Sequence, residues 1–275
     1  MMFDKRFVKG KTFYNAGNVG ADIYDFFNSY YIFSKEGKEP EVMILGIDAW
    51  IFNADKYAID KRSDKDLYYT FLGEELGYTD HDFTPTDPKE KYMALLDPSY
   101  FQGSVKYYFK DKSLDVKPEP VPIEKIYDQD EVIKCPDGSI IYDKKYRELT
   151  PEQIDFMALS NSNSGLLRIG DFKELDPTYT KQFEAFVQYL QNKDITVIFY
   201  LPPYHPIAYD TALANSEHYK GMFLAEVFCR DIAKKYNIKV YGSYDPKQLG
   251  LVGSDFMDEL HIKQEALMKI FPVVE

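Results

Sequence analysis

The sequence predicts a three-layer α/β/α fold with a central parallel sheet and one long insertion. Three observations predict it. Short apolar runs at 11–17 and 41–48 each end in a glycine-containing turn. Helical stripes alternate with these and with two later apolar runs, Ile195–Leu201 and Lys239–Gly242. Between Asn53 and Thr150 the alternation lapses. Strands separated by helices pair in parallel through right-handed crossovers, which cover both faces of the sheet.

Lys11-Thr-Phe-Tyr14 leads into Asn15-Ala-Gly17-Asn18-Val-Gly20, which reads as a strand running out into a turn. From Ala21 to Lys35, Ile23, Phe26, Phe27, Tyr30, Tyr31 and Ile32 fall on one helical stripe. Asp22 in the first turn and Gly37 beyond the last suit the two ends of that helix. Val42-Met-Ile-Leu45 is the next strand, continuing into Gly46-Ile47-Asp48-Ala49-Trp50. Residues 54–165 read as an insertion or lid on a single domain spanning 1–275, because a structureless loop of that length is improbable in a compact domain. Lys117-Pro-Glu-Pro-Val-Pro122 is its stiffest stretch, and Asp137-Gly138 predicts a hairpin turn within 131–143. A helix at 178–192 and a strand at 195–201, stopped by Pro202-Pro203, resume the pattern. A helix at 217–236, a strand at 239–242, a loop holding Asp258 and His261, and a helix at 263–271 complete it.

Composition excludes several function classes. A net charge of -12 with no lysine-rich tract opposes a phosphate-binding surface, so nucleic acid is not an expected partner. No apolar run reaches the ~20 residues of a membrane span, and Met1-Met2-Phe3-Asp4-Lys5-Arg6 lacks the apolar stretch of a signal peptide. Cys135 and Cys229 lie far apart without metal-ligand spacing, which predicts two independent thiols. Asn15-x-Gly17-x-x-Gly20 carries Asn where a dinucleotide fingerprint needs Gly. Asp80-His81-Asp82 is too contiguous to surround a metal ion. Neither a cofactor nor a metal is expected.

The residues suited to chemistry are Asp258 and His261. A carboxylate three residues before a histidine, on a loop before the final helix, can orient the imidazole through one nitrogen and leave the other to accept a proton. His205 follows a central strand, where ligand crevices of open α/β sheets lie; it reads either as site lining or as support for the Pro202–Pro206 turn. Trp50 reads either as core or as a platform for a sugar ring. His81 and His218 read as solvated.

Taken in order, Asn15–Gly20, Gly46-Ile47-Asp48-Ala49-Trp50 and Asp258-Glu-Leu-His261 resemble the SGNH (GDSL-like) hydrolases, serine enzymes that cut or transfer acyl esters. The resemblance covers 11–52 and 195–271 and implies a flavodoxin-like arrangement of the sheet. Gly46–Trp50 is similar to a subgroup related to bacterial surface-polysaccharide O-acetylation and D-alanylation proteins. It implies His261 as general base, Asp258 as its orienter and Gly20 as an oxyanion N–H donor, with Asp48 at the second oxyanion position. Asn18, Trp50 and His205 would then contact substrate. Asp48 stands where that family has Asn, and an ionised carboxylate cannot donate a hydrogen bond; it binds a backbone N–H or a substrate hydroxyl instead.

A strand ending in Gly-x-Ser is absent. Ser160, Ser162 and Ser164 follow a helix-like stretch, and Ser254 lies too close in sequence to the Asp–His pair to face it. The expectation is a chain that begins downstream of its serine block. The resemblance implies full-length relatives that often carry an N-terminal membrane segment; it is compatible with an extracytoplasmic or membrane-anchored full-length protein and leaves the location of this chain open. The implied function is hydrolysis or transfer of O-acyl, chiefly O-acetyl, groups on a carbohydrate, with this chain inactive for want of the serine. The alternative is a glycan-binding or assembly protein that kept the fold and lost the nucleophile.

Overall fold

The computed structural model describes residues 4–18, 20–53, 64–78, 89, 98–110, 120–164 and 171–274. In chain order these form α1 (Ile23–Lys35), β1 (Val42–Gly46), α2 (Lys65–Glu74), α3 (Pro98–Lys110), β2 (Ile133–Lys134), β3 (Ile140–Ile141) and α4 (Lys144–Arg147). There follow α5 (Pro151–Asn163), α6 (Pro177–Asn192), β4 (Thr196–Leu201), α7 (Pro206–Ala214), α8 (Lys220–Lys235), β5 (Lys239–Gly242) and α9 (Gln264–Ile270). Short 3-10 turns lie at Ala49–Phe52, Pro246–Leu249 and Gly253–Asp255.

A central parallel strand must be apolar on both faces, and β4 meets that requirement. Val197, Phe199 and Leu201 join one buried cluster with α1, α6 and α8 residues such as Phe27, Phe186 and Ala225. Ile198 and Tyr200 join a second, with Phe256, Ile262, Leu267 and Phe271. The sheet order is β1-β4-β5, all parallel, with Leu45 opposite Phe199 and Phe199 opposite Val240. This is a mixed α/β architecture with a central parallel sheet of three strands between helical layers.

Local chemistry sets the element ends. Asp22 and Asp25 form a reciprocal capping box at α1. Asp176 accepts from the N–H groups of Thr178 and Tyr179, with Pro177 at the first helical position of α6. The links from α6 to β4 and from α8 to β5 turn through Asp194 (φ 60°) and Asn237 (φ 52°), residue types that tolerate the left-handed region.

One expected element is not formed. Residues 11–17 lie outside the sheet, so the predicted strand–helix–strand unit beginning there is corrected to a sheet that starts at β1. The physical reason is burial. Lys11, Thr12 and Tyr14 are exposed, and of Lys11–Tyr14 only Phe13 packs against a core cluster. The Asn15 side chain then accepts from Gly17 N–H at 2.9 Å, a local turn that ends the extended run. The segment binds the predicted hairpin instead: β2 and β3 pair antiparallel around Asp137-Gly138, and Asn15 N–H donates to the Asp137 carbonyl at 2.7 Å. Gly138, at φ 77°, comes so near that a Cβ would sit 2.2 Å from the Asn15 carbonyl oxygen.

α7 was not expected from the sequence; Pro202 and Pro203 mask a helix that starts at Pro206. Asp80-His81-Asp82 and residues 117–119 lie outside the described residues. Among the described residues no helix is long and apolar enough to cross a membrane.

Gly242 ends β5 at φ 85°, and a Cβ there would lie 2.1 Å from the Leu201 carbonyl oxygen. Gly242→Ala is expected to destabilise the protein by about 2 kcal/mol or more, through backbone strain added to overpacking. Urea unfolding checks it: a loss under ~0.5 kcal/mol, the size of an unremarkable surface change, would contradict this packing.

Candidate functional site

The Asp258–His261 segment is a narrow loop pinned at its base. Phe256 and Ile262 form an antiparallel bridge, Met257 N–H donates to the His261 carbonyl at 2.8 Å, and Lys263 N–H donates to Asp255 O at 2.7 Å. Inside it, Asp258 Oδ1 accepts from the N–H groups of Leu260 (2.8 Å) and His261 (2.6 Å). Oδ2 is thereby aimed at His261 Nδ1, 2.7 Å away. The loop is tied to the end of β4 by a hydrogen bond from His205 N–H to the Glu259 carbonyl, 3.0 Å. It is tied to α5 by Asn161 Nδ2 donating to Glu259 Oε2 at 2.7 Å. The pair therefore stands beyond the carboxyl end of the sheet, where α/β folds place ligand crevices.

The insertion completes the surroundings. The Tyr146 hydroxyl, from α4, donates to Asp258 Oδ2. The Tyr142 ring lies 5.7 Å from the imidazole, centroid to centroid. Neither tyrosine was anticipated; the only sequence signal was the excess of tyrosine, 24 residues, which does not say which ones meet a site.

Electrostatics favour a permanently charged carboxylate. Burial acts to raise the Asp258 pKa, but hydrogen bonds from His261, Tyr146 and Leu260 and the His261 charge prevail and hold it at about 2. Tyr146 moves the other way: burial and the facing carboxylate push its phenol above the ordinary range. With Asp258 charged, Nδ1 is the nitrogen that carries the imidazole proton, and the Nε2 lone pair is the free basic site. The His261 side chain is 37% exposed, and no described residue hydrogen-bonds to Nε2.

The other expected site residues are placed as follows. Gly20 is half-buried at φ 64° in the turn before α1. Asn18 is exposed, and its Nδ2 donates to Asp25 Oδ1 at 3.0 Å, within the helix cap. Trp50 is only 7% exposed, and its indole N–H donates to the Ala21 carbonyl at 2.9 Å, clamping the Gly20 turn to the end of β1. Asp48 is half-buried just past β1, close enough for its charge to help burial raise the phenols of Tyr200, Tyr204 and Tyr244. His205 is 1% exposed and caps α7, its Nδ1 accepting from Ile207 N–H at 3.2 Å. His205 Nε2 lies 3.2 Å from Asp155 Oδ1. Burial lowers the His205 pKa against the pull of Asp155. The structure thus joins Asp258 to His261 directly, His205 to their loop through the backbone, and Trp50 to the Gly20 turn.

Two serines near this loop, Ser162 and Ser164, are engaged elsewhere. Ser162 is buried with its hydroxyl on the Ala158 carbonyl, and Ser164 donates to Asn161 O. No serine hydroxyl among the described residues is hydrogen-bonded to His261. No group of three His, Cys, Asp or Glu side chains among the described residues could hold a metal ion. No family model matches the chain, and neither a curated protein nor a solved structure matches it. Its chemistry is therefore argued from the site alone.

A carboxyl group whose pKa is lower folded than unfolded adds stability above its unfolded value and loses it as pH falls through the folded value. For Asp258 that window runs from about pH 4 down to about pH 2, and the contribution at neutral pH is about 2 kcal/mol. Asp258→Asn is expected to lose that amount at pH 7 and to flatten the stability–pH curve across the window, read by denaturant unfolding at stepped pH. An unchanged slope would rule out a charged, hydrogen-bonded Asp258.

Proposed function

We propose that Asp258 and His261 are the base pair of an SGNH-type ester hydrolase or acyltransferase, acting on O-acyl, chiefly O-acetyl, groups of a carbohydrate. One observation carries the reading: a buried carboxylate held near pKa 2 sits on Nδ1 of the partly exposed His261, while Nε2 has no hydrogen-bond partner among the described residues. That arrangement suits an imidazole that takes a proton from a serine hydroxyl and returns it to the leaving sugar oxygen. Asp258 stabilises the imidazolium between the two transfers. Gly20 N–H is the candidate oxyanion donor. Asp48, acceptor-only when ionised, is assigned to a substrate hydroxyl rather than to the oxyanion. The reading needs a serine presented from outside the described residues.

A second reading is favoured by a separate observation. The described serines are not bonded to Nε2, and Asp48 opposes negative charge, as in a glycan-binding protein that kept the fold without the chemistry.

Acetate release from an O-acetylated polysaccharide, with fluorophosphonate labelling in parallel, separates the two. In a form that carries the upstream serine block, the enzyme reading expects release and one labelled serine, with His261→Ala lowering kcat by about 10³-fold or more and leaving glycan binding in place. Binding without release or labelling supports the second reading. Full release by His261→Ala would remove His261 as the base.

A further inference from the structure

Beside the dyad loop lies a groove of about 820 Å³, walled by the Asp4–Arg6 turn, the 123–127 segment, the β2–β3 hairpin and the start of α9. That volume falls within the roughly 300–1,000 Å³ of small-ligand clefts. The groove meets the dyad at two points. Met257, in its wall, precedes Asp258, and Arg147, also in its wall, donates through Nε to the carbonyl of Tyr142, whose ring packs on His261.

Its lining decides the ligand class. Ile123, Ile126, Ile140, Ile141 and Met257 contribute branched or flexible aliphatic surface. Ile123 is 82% exposed on the rim, an apolar side chain left in water. Sugar sites rely on flat aromatic faces and planar polar pairs; Tyr127 is the one aromatic residue in this wall among the described residues. Aliphatic lining fits an alkyl chain.

The charges fit an anionic head. The wall holds four cationic side chains, Lys5, Arg6, Arg147 and Lys263, against three acidic ones, Asp4, Asp137 and Glu265, in a chain of net charge -12. Asp4 is already paired with Arg6, and Asp137 accepts from Ser139. Arg147 hydrogen-bonds to the backbone carbonyls of Tyr142 and Tyr127, lies with its guanidinium 5.6 Å from the Tyr127 ring centroid, and has no carboxylate partner among the described residues. A guanidinium so placed has donors to spare for a carboxylate.

We propose that this groove binds a medium-length alkyl carboxylate, its chain along Ile123, Ile126, Ile140 and Ile141 and its head on Arg147. The site goes beyond the proposed O-acetyl chemistry and stands on the groove alone. If that chemistry also holds, the groove accommodates acyl groups longer than acetyl.

Cys135 lies in the groove wall while Cys229 is 0% exposed, so a thiol reagent reports on the groove in the unaltered chain. The experiment is the rate of fluorescent-maleimide labelling of Cys135 against titrated decanoate, octanoate, acetate and decyltrimethylammonium. Decanoate is expected to protect, with roughly a 4-fold loss for each CH2 removed, and the decyl cation is expected to protect at least about 10-fold less well. Ile123→Asp, at an exposed position that leaves folding intact, and Arg147→Gln are each expected to weaken decanoate protection by about 10-fold. Equal protection by acetate and decanoate, or by the decyl cation and decanoate, overturns the proposal, as does full decanoate protection in Ile123→Asp. His261→Ala keeps decanoate protection if the groove is correctly assigned, so a failed base assignment and a failed groove assignment give different results.

Discussion

Burial of β4 on both faces is the constraint from which the architecture follows. A strand reading Thr-Val-Ile-Phe-Tyr-Leu offers large apolar groups to both sides, so no single helical layer can satisfy it. α1, α6 and α8 cover Val197, Phe199 and Leu201. The loops around Leu251, Phe256 and Ile262, together with α9, cover Ile198 and Tyr200. The second cover combines α5 and α9 with the loop that carries Asp258 and His261. Positioning of the dyad and completion of the core are one packing event, because Phe256 and Ile262 close the base of the loop while filling the space under Tyr200.

Asp258 joins parts of the chain distant in sequence. Its Oδ1 organises its own loop through two backbone N–H groups, and its Oδ2 receives one imidazole and one phenol. The phenol comes from the segment after the hairpin, so the insertion supplies part of the field that keeps the carboxylate charged. Glu259 extends the connection to α5 through Asn161 and to α7 through the backbone of His205. A buried carboxylate with this many donors is costly to form piecemeal and stable once complete, as expected for networks in a low-dielectric environment.

Much of the fold was legible in the sequence because its signals are local. Strands at 42–46, 196–201 and 239–242, and helices at 23–35, 177–192 and 264–270, each carry their own period or cap. The Asp137-Gly138 hairpin was readable for the same reason. Residues 11–17 misled because a short apolar run before a glycine turn looks the same in or out of a sheet; only the exposure of Lys11, Thr12 and Tyr14 decides it. The bond between Asp258 and His261 could be anticipated from their spacing, since three residues suffice for one side chain to reach the other. Tyr146 and Tyr142 could not be, because they reach the dyad across more than a hundred residues and their identities alone assign no partner. For His205 the sequence left site lining and support of the Pro202–Pro206 turn both open; the structure shows it nearly fully buried and capping α7.

The sheet order also fixes a sequence of events during synthesis. Among the described residues β1 has one sheet neighbour, β4, whose partner residues lie some 150 positions later, as Val42 opposite Thr196 shows. β1 cannot complete its pairing with β4 until Tyr200 has followed it. The later stretch from α6 to β5 is compact in sequence and can form β4–β5 pairing with short loop closures. Among the described residues, β1–β4 pairing therefore closes by far the longer loop and β4–β5 pairing the shorter.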